Sequence, residues 1–198
     1  RAAAHPPFPD FLMKRVAEDL AERLAIVRRE FRLALSLGTQ LGLVRRALAP
    51  LPNVGLLLHA QLCPELRPGS LVVGADEEAL PFADGTLDLV VSALSLQFVN
   101  DLPGTLIQIR RALKGDGLFL GALLGGGTLK ELREAWLVAE DEIAGGASPR
   151  VAPFADVRDL GSLLQRAGFA LPVADSDTVT VTYPSPLHVM RDVKAMGA

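Results

Sequence analysis

The chain has very few residues of the types that form disulfides and metal sites. Its 198 residues include one cysteine, Cys63, and three histidines. A single cysteine cannot form an internal disulfide or a cysteine-based metal cluster, which favours a reducing compartment. His5 and His188 have no acid at a metal-ligand spacing, so no metal site is expected. The sequence also lacks a Gly-x-Ser-x-Gly elbow, which argues against a nucleophilic serine.

The chain also lacks an excess of positive charge and any long apolar run. Its formal net charge is −3, so it lacks the excess positive charge that binds a phosphate backbone. Nucleic acid is therefore not an expected partner. No stretch approaches the ~18 uninterrupted apolar residues of a membrane-spanning helix. The first residue is Arg1 rather than a methionine, so the start of this sequence says nothing about targeting.

The sequence instead contains apolar strands that alternate with amphipathic helices. The first helix is predicted over 9–30, where Phe11, Val16 and Leu20 recur with a helical period. Strands are predicted at 31–37, 53–60, 70–78, 85–96 and 115–125, and an alternating edge strand at 175–184. Further helices are predicted at 41–50, 103–114, 128–146, 155–169 and 185–197, and the crossover at 61–69 is too short for more than a stub.

Most of these strands are apolar at every position. Strands of this kind are covered on both faces, as in a parallel sheet between two layers of helices, so the chain is predicted to be a three-layer α/β domain. Asp88, within the fourth strand, is expected to have a buried or capping role. In such a sheet, ligands bind beyond the carboxyl ends of the strands, where strand order reverses. The site is therefore expected among the loops at 38–42, 59–61, 74–78 and 92–101.

The segment 74–125 carries a family resemblance. It reads "GADEEALPF", then "GTLDLVV", then "LKGDGLFL", and it resembles class I S-adenosylmethionine-dependent methyltransferases. In that family an acid follows strand three, "LPF" precedes strand four and "LKxGG" or "LKxDG" precedes strand five. The resemblance implies a Rossmann-like, mostly parallel seven-stranded sheet of order 3-2-1-4-5-7-6, with the strand at 178–183 antiparallel.

The resemblance also implies one methyltransferase-like domain over 1–198. The segment 9–30 would be its N-terminal helix, 31–124 the cofactor-binding half, and 125–198 the substrate-side helices and last strands. S-adenosylmethionine is the implied cofactor. Gly38 and Gly42 would approach its methionine portion, and Asp76 would accept a hydrogen bond from the adenine amino group. Glu77 would present its backbone amide to the ring.

Other implied site residues follow the fourth strand. Ser92 and Leu94 would face the methyl-donor sulfonium, and Gln97 and Phe98 would lie on the substrate side. His59 is a candidate for the ribose, although a loop histidine without a ligand is an alternative. No residue is assigned as the catalytic base.

The chain also departs from the family pattern. Ser36 stands where the family has an aspartate, Gln40 where it has the middle glycine, and 59–61 contains no acid to hold the ribose hydroxyls. In one interpretation His59, Gln61 or Gln40 supplies neutral hydrogen bonds to a weaker cofactor site. In a second the cofactor site is largely lost and the protein binds a partner, and in a third a different ligand occupies the same cleft. The glycines would serve a tight turn in every case.

Later phrases resemble a narrower group. "GGGTLKELREAW", "PRVAPFADVRDLGSLLQRAGF" and "VTYPSPLHVMRDVKAMG" are similar to the methyltransferase-like assembly factors of respiratory complex I and, more loosely, to the malonyl-carrier-protein methyltransferase of biotin synthesis. This likeness implies a protein substrate in complex I, with a non-catalytic assembly module or an arginine-hydroxylase-like activity as alternatives. It implies a cytoplasmic location in a bacterium or the mitochondrial matrix in a eukaryote. Members of the group usually continue beyond this length.

Overall fold

The computed structural model describes residues 10–38, 42–62, 71–146 and 154–196. The strands are β1 (Phe31–Leu37), β2 (Val54–Gln61), β3 (Val72–Gly74), β4 (Leu87–Ala93) and β5 (Leu113–Ala122). The helices are α1 (Phe11–Ala25), α2 (Leu43–Leu48), α3 (Leu102–Ala112), α4 (Lys130–Ala144), α5 (Val157–Arg166) and α6 (Pro186–Ala195). Arg1, His5, Gln40 and Cys63 lie outside the described ranges, as does most of the crossover from β2 to β3.

The five strands form one parallel sheet in the order β3-β2-β1-β4-β5. The chain moves outward from β1 to β3 and then returns to place β4 on the other side of β1, so strand order reverses between β1 and β4. Ser36 of β1 lies in register with His59 of β2 and Val91 of β4. All seven residues of β4 are buried, as expected of a central strand covered on both faces. The predicted Rossmann-like α/β fold is confirmed.

Helices cover both faces of this sheet. On one face, Leu24 of α1 and Leu48 of α2 are fully buried against Ala34 of β1. On the other face, Ile109 of α3 is fully buried in a second cluster with Leu35. Removing a leucine or isoleucine side chain of this kind from water contributes roughly 1.5–3 kcal/mol. Because β1 alternates its side chains between the two clusters, it is held rigidly at the centre of the fold.

Asp88 joins three strands near their amino ends. Its carboxylate accepts hydrogen bonds from the Leu33 amide at 2.9 Å and from Lys114 Nζ at 2.8 Å. Burial on its own would raise the pKa of Asp88, but these two donors outweigh it, and the pKa lies below the ordinary value of an aspartate. The expected structural role of this residue is therefore confirmed.

The prediction of a seven-stranded sheet with one antiparallel strand is wrong for the part of the chain that the structure describes. That part contains five strands, all parallel, and 175–184 forms no strand. Two ion pairs hold this segment against α1, Arg15 with Asp177 at 3.2 Å and Arg23 with Asp175 at 3.0 Å. Because the segment lies along a helix, its backbone has no neighbouring strand with which to pair.

The three helices after β5 are less buried than those before it. Helices α4 and α6 contain no buried residue, whereas α5 contributes the partly buried Leu163 and Leu164 to the second cluster. No described helix is long and apolar enough to cross a membrane. The described residues also contain no group of three or more His, Cys, Asp or Glu side chains that could hold a metal ion.

Candidate functional site

The carboxyl end of β1 is closed by a glycine that no other residue could replace without rearrangement. Gly38 has a φ of +78°, a conformation that favours glycine, and its amide donates to the Ala60 carbonyl of β2 at 2.8 Å. A Cβ atom at this position would lie 2.5 Å from Glu77 Oε1 and closer still to Ser95 Oγ. Side chains from the loops after β3 and β4 therefore converge above the end of β1.

The turn after β4 is fastened to both neighbouring strands. The Ser95 hydroxyl donates to the Leu37 carbonyl of β1 at 3.3 Å, and the Ser92 hydroxyl lies 2.8 Å from Ser95 Oγ. The Leu94 amide donates to the Ala122 carbonyl of β5 at 2.8 Å. Leu94 itself has a φ of +52°, and a non-glycine residue held in such a region costs about 1–3 kcal/mol and is found most often at functional sites.

A short 3₁₀ turn, Leu96–Phe98, follows. Gln97 Nε2 donates to the Leu94 carbonyl at 2.9 Å, which points the amide back towards the strand end. Its Oε1 is buried and has no hydrogen-bond partner among the described residues. Phe98 is 57% exposed, so its ring is available for contact with a molecule that approaches the cleft.

The end of β2 carries polar side chains in place of an acid. His59 is almost fully buried, and its Nε2 lies 3.1 Å from Gln61 Oε1. His59 Nδ1 and the neighbouring Ser36 hydroxyl are both buried, and neither has a partner within the described ranges. Buried polar atoms are nearly always hydrogen-bonded in folded proteins, so these two atoms mark the ends of β1 and β2 as unusual.

The loop after β3 contains the two predicted acids, and the structure gives them different surroundings. Asp76 is exposed, and its Oδ1 accepts a hydrogen bond from the Glu78 amide at 2.9 Å. Glu77 is half-buried, and its Oε1 lies over Gly38. The side chain of Glu77, and not only its amide, therefore lies close to the end of β1.

Glu78, for which the sequence pattern predicts no role, links this loop to the loop after β4. Its carboxylate accepts hydrogen bonds from the Asp101 amide at 2.5 Å and from Asn100 Nδ2 at 3.2 Å. Both hydrogen bonds lower the pKa of Glu78 below its ordinary value, and the bond from the Asp101 amide has the larger effect. Three consecutive acids in the sequence give no indication of which one has this role, because the partners are more than 20 positions away.

The predicted residues do not all come together. Gly38, Glu77 and Ser92 are connected through direct contacts or through Ser95, and Leu94 joins them through the same turn. Gly42 has a φ of +61° and starts α2, but a Cβ atom there would meet nothing within 4 Å. Gly42 therefore serves the bend of the backbone, and its approach to the methionine portion of the cofactor stays a prediction.

A shallow cavity of about 440 Å³ lies at the other end of the sheet. It is lined by the loop between α1 and β1 and by Asn53, just before β2. Asn53 Nδ2 donates to the Leu24 and Val27 carbonyls at 3.1 Å each, which closes the end of α1. This cavity is at the amino ends of the strands, where parallel sheets do not place their ligand sites, so the cleft above Gly38 remains the candidate site.

Comparison with known proteins indicates the kind of domain to which this cleft belongs. Residues 38–121 match a family model described as a methyltransferase domain. The chain is 43% identical over 205 residues to the protein named arginine-hydroxylase NDUFAF5, mitochondrial, of Mus musculus, covering 98% of this chain and 60% of that protein. It is 37% identical over 199 residues to the malonyl-[acyl-carrier protein] O-methyltransferase of Halorhodospira halophila, covering 94% of this chain and 65% of that protein.

A solved structure from Bacillus halodurans, described as a methyltransferase, supports the same fold. Its TM-score is 0.59 at 18% identity, with 79% of this chain and 70% of that chain covered. The chain spans about three fifths of the length of the NDUFAF5 relative from Mus musculus. The matched region 38–121 begins at Gly38 and contains β2, β3, β4 and nearly all of β5, so the family match and the cleft coincide.

Proposed function

We propose that the chain is a member of the S-adenosylmethionine-dependent methyltransferase superfamily, and that the cleft above Gly38 binds S-adenosylmethionine and presents its methyl group to a protein substrate. The observation that carries this proposal is the convergence of Glu77 and Ser95 over Gly38 at the reversal point of the sheet. That point is where open α/β sheets bind their ligands.

The polar atoms around the cleft fit a ligand rich in hydrogen-bonding groups. Ser36 Oγ, His59 Nδ1 and Gln97 Oε1 are buried without a partner among the described residues, and they lie near the ends of β1, β2 and β4. A ligand with hydroxyl, amino and carboxylate groups would satisfy such atoms. By the family resemblance, Asp76 would accept the adenine amino group, and the backbone around Gly38 would contact the methionine portion.

The missing acids lower the expected affinity without removing the site. A carboxylate at the end of β2 would accept charge-assisted hydrogen bonds worth about 1.5–3 kcal/mol each, whereas neutral bonds contribute about 0.5–1.5 kcal/mol. If the His59 and Gln61 pair replaces such an acid, the ribose is held by neutral bonds. Because 1.4 kcal/mol is a factor of ten, binding is expected to be roughly tenfold weaker for each contact replaced.

Methyl transfer depends on alignment more than on acid–base chemistry. S-adenosylmethionine supplies an electrophilic methyl group on a sulfonium, and the protein must hold an acceptor in line with it. The Ser92–Ser95 hydrogen bond and the anchored Leu94 make the turn after β4 a rigid wall for this purpose. Phe98, exposed beside it, is proposed to contact the substrate. The resemblance to complex I assembly factors favours a subunit of that complex as the substrate.

A second candidate function follows from the name of the relatives at 43% identity. The word arginine-hydroxylase in that name favours an arginine-bearing protein substrate in the same cleft. A third possibility, a binding module without catalysis, would need no cofactor. The three differ in their requirement for S-adenosylmethionine and in the group transferred to the substrate.

Titration calorimetry with S-adenosylmethionine and S-adenosylhomocysteine tests the cofactor proposal directly. We expect binding of both, and a loss of roughly ten- to a hundredfold in affinity for Asp76→Ala, since one charge-assisted hydrogen bond is removed. Asp84→Ala is the matched control. Asp84 is also an exposed acid, in the loop before β4, but it forms an ion pair with Arg111 of α3. No heat at millimolar ligand would contradict the proposal.

A further inference from the structure

Glu78 completes a helix cap that the local sequence of α3 does not supply. Asp101 is the N-cap residue of α3, and its Oδ1 accepts a hydrogen bond from the Gly104 amide at 2.8 Å. In a complete capping box, a glutamate or glutamine at the position of Gly104 would accept a hydrogen bond from the Asp101 amide in return. Glycine has no side chain for this purpose. The carboxylate of Glu78, 23 positions before Asp101, accepts that hydrogen bond instead.

The start of α3 leaves no room for a local substitute. A Cβ atom at Gly104 would clash with the Asp101 carboxylate, so the acid has to come from elsewhere in the chain. Asn100 Nδ2 is a second donor to Glu78, at 3.2 Å. Among the residues that the structure describes, no basic side chain contributes to the pKa shift of Glu78. Its negative charge is therefore held by these two donors and by the positive end of the α3 dipole.

This cap joins two loops that the sheet itself keeps apart. The loops follow β3 and β4, and the strands β2 and β1 lie between those two. On one side, Glu78 comes two residues after Asp76, and its carbonyl accepts a hydrogen bond from Gln108 at 2.6 Å. On the other side, Asn100 comes two residues after Phe98. The residue predicted to meet the adenine and the ring predicted to meet the substrate are thus connected through one carboxylate.

We infer that Glu78 is a positioning residue, which holds the substrate-side turn at a fixed place relative to the loop that receives the adenine. This inference rests on the proposed function and extends it, because it makes the two halves of the cleft dependent on each other. A cofactor that bonds to Asp76 restrains the loop after β3, and Glu78 passes this restraint to residues 98–101. Cofactor binding and the order of Phe98 are then energetically coupled, so the substrate meets an ordered turn once the cofactor is bound.

A fluorescent reporter in the turn after β4 tests this coupling. Trp136 is the single tryptophan of the chain, so Trp136→Phe together with Phe98→Trp moves the only indole to the rim of the cleft. Acrylamide quenching of this reporter chain measures how accessible the ring at position 98 is. Calorimetry with S-adenosylhomocysteine on the same chain measures whether the ligand binds, and both are repeated with each variant below.

Three substitutions are introduced into the reporter chain. Glu78→Ala removes both hydrogen bonds, whereas Glu78→Gln keeps one side-chain oxygen that can accept from the Asp101 amide. Glu134→Ala is the control, because Glu134 is an exposed acid whose ion-pair partner, Lys130, lies on the same helix. Saturating S-adenosylhomocysteine is expected to lower the quenching of the reporter chain and of the control. This decrease should be absent in Glu78→Ala and partly retained in Glu78→Gln.

The response at saturating ligand separates positioning from stability alone. A variant that is less stable but still folded and saturated would show the full decrease if Glu78 only stabilised the fold, and urea unfolding establishes which variants are folded. Where Glu78→Ala does not fold, Glu78→Gln takes its place. An equal decrease with and without the Glu78 carboxylate would overturn the inference, and so would an unchanged signal in a reporter chain that binds the ligand.

Failure of the cofactor proposal has a different result, namely no calorimetric binding to any chain. The ligand-free chains then decide the inference on their own. Quenching that rises in Glu78→Ala and not in Glu134→Ala supports the positioning of the turn by Glu78. Quenching that stays the same in both variants overturns it.

Discussion

Gln108 Nε2 donates a hydrogen bond to the Glu78 carbonyl at 2.6 Å, and the same amide group accepts one from the Leu80 amide at 3.0 Å. Gln108 lies in the middle of α3, about 30 residues beyond the loop that it holds. Two bonds from one side chain fix the orientation of the backbone on both sides of residue 79. The loop that carries Asp76 and Glu77 is therefore attached to the helix layer and not only to β3.

We expect Gln108→Ala to weaken this attachment. The substitution leaves the Leu80 amide and the Glu78 carbonyl without their partner, so the free energy of unfolding should fall by about 1–3 kcal/mol. Because the loop would then move, affinity for S-adenosylhomocysteine should fall as well. Urea unfolding and calorimetry measure the two effects. Gln165→Ala on the exposed side of α5 is the control, and equal behaviour of the two variants would contradict this role.

Asp88 should make the stability of the fold dependent on acid pH. Its folded-state pKa lies below its ordinary value because the hydrogen bonds from Lys114 and Leu33 outweigh the effect of burial. The corresponding stabilisation is therefore fully present above the unfolded-state pKa of roughly 3.9, and it is lost as the pH falls through the folded-state pKa.

Asp88→Asn removes this charge from a buried position. We expect a loss of about 1.5–3 kcal/mol at neutral pH, since a hydrogen bond from a charged lysine is replaced by a weaker one. The difference between the variant and the wild type should shrink below about pH 4. Thermal unfolding across pH 3–8 measures it. A difference that stays constant over this range would show that the Asp88 charge is not responsible.

Alanine variants of Gly38 and Gly42 distinguish the cost of backbone strain from the cost of a steric clash. Both have positive φ, but a Cβ atom at Gly38 would collide with Glu77 and Ser95, whereas one at Gly42 meets nothing within 4 Å. Gly42→Ala should cost roughly 1–2 kcal/mol through strain alone. Gly38→Ala should cost roughly 2–5 kcal/mol, because overpacking is added. Denaturant unfolding of both variants tests this order, and equal losses would refute the crowding above β1.

The ion pairs between α1 and the segment at 175–184 are expected to keep that segment on the helix while contributing little to the free energy of unfolding. Both are exposed, and pairs of this kind contribute about 0–1 kcal/mol each. The double variant Arg15→Ala with Arg23→Ala should therefore unfold at nearly the same urea concentration as the wild type. Limited proteolysis should nevertheless cut 175–184 faster. If cleavage at this segment is unchanged, other contacts hold it on α1.

The sequence is sufficient to predict the five strands because each contains a short apolar run, which is most continuous in β1 and β4, the two strands that are mostly buried. "FRLALSL" is predicted as a strand at the same residues that form β1. The alternation in "DSDTVTVTYP" indicates one apolar side but carries no information about a partner. The structure shows Asp175 and Asp177 paired with α1 instead. A pattern of side chains cannot predict a strand whose hydrogen-bonding neighbour is absent from the described residues.

The sequence predicts where the cleft lies, at the carboxyl ends of the strands, but it does not predict the hydrogen bonds that shape it. Gly38 and Ser92 follow from their positions at strand ends, and the structure brings them together through Ser95. The roles of Ser95, Glu78 and Gln108 depend on hydrogen bonds between residues 23 to 58 positions apart. Such bonds involve common polar residues with no distinctive spacing, so the sequence gives no signal for them.

The Ser36 hydroxyl, which has no hydrogen-bond partner in the described part of the chain, has a practical meaning for protein engineering. A search for heat-resistant variants would select Ser36→Ala, since removing a buried hydroxyl that bonds to no described group is close to neutral or stabilising. If the hydroxyl serves the ligand, that gain in melting temperature would be accompanied by weaker binding. Position 36 is therefore a place where thermostability and ligand affinity are expected to trade against each other, and a stabilised scaffold of this protein should retain its serine.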